Sequence, residues 1–179
     1  MESNTLTTKH RYTLQEVKDI FNYRYTLYED IINALEHYEI TKQRAYGCSC
    51  GISDTIAKLG CRVQTSKNTE YNALDELIIL EESIVTKQSN LQAYDDILHY
   101  IVKESGISKE QERVLDCMYF TEHKQSYESC ARLYTSKYRE IITRHDVRHC
   151  INRIFNNFII PFLDKTDFDF DRYKIHKYE

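Results

Sequence analysis

Proline occurs once and glycine four times in 179 residues, and tryptophan does not occur at all. So few helix breakers leave long, uninterrupted helices as the expected framework. No stretch approaches about 18 consecutive apolar residues, which excludes a membrane-spanning helix. The opening "MESNTLTTKHRY" has no apolar core, so no signal peptide is expected there and the chain is expected to be cytoplasmic. In that reducing setting the six cysteines are expected as thiols or ligands rather than disulfides. No glycine-rich phosphate loop, no His-Glu-x-x-His and no nucleophile elbow occurs. An enzyme is therefore not expected, and no cofactor is called for.

What is present suits a globular chain of one domain, or of two small ones sharing a core. Apolar residues make up 41 % and charged residues 29 %, which argues against wholesale disorder. Fifteen tyrosines place the aromatic bulk in a side chain that tolerates half-burial. The net charge of −4 conceals an asymmetry. Residues 69–122 hold 12 acidic and 4 basic side chains, whereas 123–160 hold 7 basic, 3 acidic and three histidines. A basic patch on an acidic chain points to a polyanion.

Residues 1–12 read as frayed. A first long helix opens on Thr13 and Glu16 at capping-box spacing. Leu14, Val17, Phe21, Tyr28, Ile31, Leu35 and Tyr38 step by threes and fours, with Arg24 as the one polar residue in the seam. A joint over 45–68 precedes a second long helix starting near Asn68 or Thr69, with Leu74, Leu77, Ile78, Ile84, Val85, Leu91, Leu98, Ile101 and Val102 as its stripe. Gly106 closes it. Two long amphipathic helices joined by a loop are expected to form a helical hairpin over 13–104, for dimerisation or partner contact, because neither holds its form without burying its stripe. The sustained heptad spacing favours a homodimer.

The joint "GCSCGISDTIAKLGC" holds Cys48, Cys50 and Cys61. A structural zinc site takes four ligands, with pairs usually spaced Cys-x2-Cys or wider. Here one residue separates the first two thiols and no histidine lies between 38 and 98, so a hinge is preferred over a metal site at Cys48, Cys50 and Cys61. The carboxylate pairs Asp75 and Glu76, Glu81 and Glu82, and Asp95 and Asp96 are read as solvation of a polar helix face, since neighbours on a helix point apart. Asp167, Asp169 and Asp171 alternate like calcium ligands, but the glycine and glutamate of a calcium loop are missing. His145 and His149 stand at i, i+4, a spacing that can clamp a metal. Without a third ligand they read as a solvated or phosphate-facing pair.

The last third carries the chemistry. Ser108 and Gln111 cap a helix with Val114, Leu115, Met118 and Tyr119 inward, and Ser126 starts a short helix, "SYESCARLY". "TSKYREIITRH", a connector with room for a helical turn of its own, leads to "DVRHCINRIFNNFIIPFL", in which Val147, Ile151, Ile154 and Phe158 face inward and which is expected to end near Pro161. Three short helices with a basic outer face on the last form the pattern of a helix-turn-helix over 106–163, followed by a tail, 164–179. Opposite the apolar face stand Arg144, His145, Arg148, His149, Asn152 and Asn156, types that reach phosphates and base edges. Lys124, Lys137 and Arg139 can neutralise backbone phosphate. The competing reading is that these residues merely solvate a helix.

"SKEQERVLDCMYF…SYESCARLY…TRHDVRHCINRIF" resembles the region-4 helix-turn-helix of sigma factors. The whole layout from about 13 to 163 is similar to phage transcription regulators of the RinA and ArpU type. The chain departs from that pattern in an insert at 135–142, "TSKYREII", where a tight turn is usual, and in Cys130, where a residue such as isoleucine is usual. The resemblance implies an all-α fold and a phage-type, sequence-specific regulator that binds double-stranded DNA at promoters and touches host RNA polymerase. It implies that Ser126 and Tyr127 meet backbone phosphate, and that Arg144, His145, Arg148, His149 and Asn152 face the major groove. The alternative is a non-enzymatic, protein-binding helical module, a phage inhibitor of a host factor that keeps a degenerate helix-turn-helix as scaffold.

Overall fold

The computed structural model describes residues 12–47 and 67–168, and every regular element among them is helical. Residues 1–11, the loop carrying Cys48, Cys50 and Cys61, and the tail from 169 onward lie outside the described residues. Helix α1 spans Leu14–Gly47, 34 residues against the roughly 25 that the apolar stripe suggests. The capping box at its start forms as expected: the Thr13 hydroxyl accepts from the Glu16 amide at 3.2 Å, and Glu16 accepts from the Thr13 amide at 2.7 Å. Helix α2 spans Lys67–Glu104, so Asn68 and Thr69 fall inside its first turn rather than before it. Gly106, at φ +73°, ends it in the left-handed conformation that glycine adopts without strain.

Helix α3 spans Lys109–Tyr119 behind the Ser108–Gln111 capping box. Helix α4 spans Tyr127–Tyr138 and is capped by the Ser126 hydroxyl, which accepts from the Ser129 amide at 3.1 Å. Helix α5 begins at Arg144–Ile154, behind Thr143 as its cap. It runs on through one π-helical turn, Phe155–Ile159, into a last stretch, Ile160–Thr166.

Contacts divide the chain inside the two long helices rather than after residue 104. One unit is Met1–Thr26 with Gln92–Glu179, and the other is Leu27–Leu91. The reason lies in where the apolar residues go. In the first unit Phe21 of α1 is fully buried between Tyr119 of α3, at 5.3 Å between ring centroids, and Phe155 of α5, at 5.1 Å. Tilted and edge-on rings at these distances gain the quadrupole attraction of aromatic pairs in addition to burial. Val17, Leu98, Ile101, Leu115, Val147, Ile151, Ile154, Ile159 and Leu163 complete that core.

Arg24, the polar interruption in the α1 stripe, has its partner here. Its Nε donates to Asp95 Oδ1 at 2.7 Å and its Nη2 to Asp95 Oδ2 at 3.1 Å, while Nη1 donates to the Thr121 carbonyl at 2.7 Å. Asp95 is thus half-buried in an ion pair and does not belong to a solvated face. Tyr25 donates to the Met118 carbonyl at 2.7 Å, and Tyr94 to the Ile20 carbonyl at 2.8 Å, both positions absent from the apolar stripes.

The second unit buries Leu27, Ile31, Leu77 and Ile84, with Tyr38 donating to Glu81 at 2.6 Å. Ile32, Leu35, Ile40, Leu74, Ile78, Ile79 and Val85 stay exposed, although Leu35, Leu74, Ile78 and Val85 were expected in buried stripes.

Pro161 does not end α5. Proline lacks an amide hydrogen and its ring crowds the carbonyl four residues back. The π turn immediately before it, in which the Ile160 amide reaches back five residues to the Phe155 carbonyl, widens the helix where that donor is missing. The extra residue also advances the apolar phase by one. Phe155 and Ile159 enter the core, and Phe158, expected inside, is only half-buried.

Candidate functional site

Helices α4 and α5 pack on each other and on α3. The insert at 135–142 divides in two. Its first four residues extend α4 by a turn to Tyr138, and Arg139, at φ +58°, caps the helix in the left-handed conformation. That cap is unusual for a residue with a side chain, and its surroundings hold it. The Tyr138 ring lies 4.9 Å from Tyr134 and carries the Arg113 guanidinium at 4.8 Å, while Tyr134 donates to Glu140 at 3.0 Å. The chain between α4 and α5 is thereby tied to α3 and α4 on its inner side, with Ile141 93 % exposed on the outer one.

At the far end of this turn Thr143 starts α5 two residues earlier than the apolar pattern indicates. Its hydroxyl accepts from the Asp146 amide at 3.2 Å, and Asp146 accepts from the Thr143 amide at 3.0 Å and from its hydroxyl at 2.6 Å. Arg144 and His145 therefore belong to the first turn of the helix and not to a connector. The Thr143 hydroxyl, then its amide, then the charges of His145 and His149 hold the Asp146 carboxyl below the usual carboxylate range. A lowered pKa stabilises the fold above the ordinary carboxylate pKa and is lost as pH falls through the lowered one. Thermal melts of the wild type and Asp146→Asn should differ above about pH 5 and converge as pH falls through the lowered pKa of Asp146.

Two helix starts meet at one place. Ser126, Tyr127 and Glu128 from α4 and Arg144, His145 and Arg148 from α5 line an open cavity of about 430 Å³. Ser126, Tyr127, Arg144, His145 and Arg148, expected at a phosphate or groove surface, are thus brought together. Arg144 and Arg148 are exposed, and among the described residues neither guanidinium has an ion-pair partner. The α4 start adds unsatisfied amides and the positive end of its dipole. Glu128 is the one acid in the lining, and Arg132, four residues on, pairs with it. His149 stacks edge-on against His145 at 4.6 Å, one turn further along the same face.

The remaining expected residues are placed elsewhere. Lys124 is exposed in the turn between α3 and α4, and Arg139 caps α4. Lys137 sits 5.3 Å from the Tyr138 ring and interacts with Asp116 of α3, whose carboxyl is raised by burial and by Glu112. Asn152 is half-buried, and its Oδ1 accepts from the Lys18 ammonium of α1 at 2.8 Å. Lys18 escaped sequence reading because it lies 134 residues away and in another helix.

Cys130 of α4 is fully buried and its thiol faces the Val114 carbonyl at 3.8 Å, so it serves as a small apolar core residue. Burial, then the neighbouring Cys117 and Cys150 thiols, push its pKa up to about 12, and burial raises those of Cys117 and Cys150. Thiolates are the reactive form. Iodoacetamide at pH 8 followed by peptide mapping should leave Cys117 and Cys130 unmodified in the native protein and label both in urea. Among the described residues no group of three or more His, Cys, Asp or Glu is placed to hold a metal ion, and no helix is long and apolar enough to cross a membrane. No protein-family model, curated protein or solved structure matches the chain.

Proposed function

We propose that the protein is a phage-type, sequence-specific DNA-binding transcription regulator that acts at promoters with host RNA polymerase. In this reading α3, α4 and α5 form a helix-turn-helix, with α5 as the helix entering the major groove. One observation carries it: the cavity where the α4 start meets Arg144, His145 and Arg148, two of them permanently charged guanidiniums with no ion-pair partner among the described residues. Unpaired guanidiniums beside a helix start suit a phosphate backbone, because both charge and amide donors are free. The resemblance to sigma region 4 and to the RinA and ArpU type supplies the phage and promoter context. The α1–α2 pair, read as a hairpin, supplies a surface for a second copy or for polymerase.

The second reading, a protein-binding helical module that inhibits a host factor, is favoured by a different observation. Ile32, Leu35, Ile40, Leu74, Ile78 and Val85 are exposed in Leu27–Leu91, and Ile141 is almost wholly bare. Salt separates the two. A regulator making about five phosphate contacts should retain DNA fragments with a log–log salt slope near −4 to −5, and sequencing the retained fragments should give a common motif. A scaffold should retain none at low salt.

A further inference from the structure

The DNA-binding reading leaves open which base Asn152 meets, and its partner restricts the choice. A free asparagine side chain reads adenine with two bonds, accepting from N6 through Oδ1 and donating to N7 through Nδ2. Here the Lys18 ammonium donates to Oδ1 at 2.8 Å, which also fixes the amide so that Nδ2 points away from the lysine. Both side chains are half-buried, and Lys18 has no acidic partner among the described residues. Oδ1 keeps a second lone pair, but a donor approaching it meets a full positive charge alongside. Seen from outside, the pair therefore offers an N–H of Nδ2 and the remaining N–H bonds of an ammonium. Asn152, half-buried, follows Arg148 by one helical turn, on a side of α5 turned away from the buried Val147 and Ile154.

We propose that Lys18 is a positioning residue that turns Asn152 into a donor-only reader, so that this point of the interface selects guanine, whose O6 and N7 are both acceptors, and rejects adenine. The inference rests on the DNA-binding reading. It is tested by selecting a random-sequence duplex library with the full-length wild type, Asn152→Ala, Lys18→Met and Lys18→Arg, each confirmed as folded by circular dichroism. In the wild-type motif, the position that Asn152→Ala flattens should be guanine. Lys18→Met should shift the guanine-to-adenine ratio there about ten-fold toward adenine, and Lys18→Arg, which keeps a charged donor, should preserve guanine. The inference alone is overturned if a motif emerges and that position is adenine in the wild type. It is equally overturned if Asn152→Ala flattens no position, or if Lys18→Met weakens all sequences alike without changing any preference, as a simple phosphate contact would. If none of the proteins enriches any sequence, the DNA-binding reading falls and this inference with it.

Discussion

Replacing Arg24 by alanine is expected to destabilise the protein by about 3–5 kcal/mol, the range for removing one partner of a buried ion pair. Arg24 is 9 % exposed, and each of its three donor nitrogens is committed: two to the Asp95 carboxylate and one to the Thr121 carbonyl. Its guanidinium also lies 5.9 Å from the Phe120 ring, against which His99 packs at 4.1 Å. Alanine leaves a half-buried carboxylate and a main-chain carbonyl without donors, and unmatched buried polar groups cost more than matched ones contribute. For a chain of this length the loss corresponds to a fall in melting temperature of roughly 10 °C. A double replacement, Arg24→Met with Asp95→Leu, removes both charges together and should recover most of the loss. Urea unfolding of the three proteins measures this, and a loss below about 1 kcal/mol in the single variant would show that the pair contributes no more than a surface bridge.

The same residue shows where sequence reading reaches and where it stops. Arg24 was visible as a polar break in an apolar seam, because helical period is a local property. Its partner was not visible: Asp95 stands in a carboxylate pair whose spacing reads as solvated, and only packing 71 residues away brings the two together. The caps at Thr13, Ser108 and Ser126 were legible for the reason that caps always are. A side chain and an amide three residues on satisfy each other without outside help. The core of α3 and the first half of α5 were legible from their spacing.

The second half of α5 was not. Proline normally marks a boundary, and one extra residue in a π turn changes both the end of the helix and the phase of every later side chain. The insert was legible only in part: room for a helical turn could be read there, but not that the turn continues α4. Thr135–Tyr138 has no helix-favouring period of its own, and its helical form rests on Tyr138 and Glu140 finding Tyr134 and Arg113. Of the candidate site, the residue types were readable, but their convergence was not. Ser126 and Arg148 meet because a turn of unremarkable composition sets α5 against the start of α4.

That convergence predicts the largest functional effect. Arg144→Ala combined with Arg148→Ala should lower the retention of DNA about 100-fold at 0.1 M salt, equivalent to about 2.7 kcal/mol. The salt slope should also become shallower by about 1.8, since each phosphate contact contributes about 0.9. Neither arginine is buried or paired among the described residues, so the melting temperature should stay within the range typical of surface substitutions, about 0.5 kcal/mol. Lys109→Ala removes an exposed charge at the start of α3, outside the cavity, and serves as the comparison, with affinity and slope nearly unchanged. The two readouts together are diagnostic. A loss of affinity with the slope intact would place the arginines on base edges rather than phosphates, because the slope counts the phosphates that are neutralised. Unchanged retention and slope in the double variant would take the DNA surface away from this cavity altogether. The exposed apolar residues of Leu27–Leu91, and separately Ile141, would then become the candidate working surfaces, and the helix-turn-helix layout a scaffold for a protein partner.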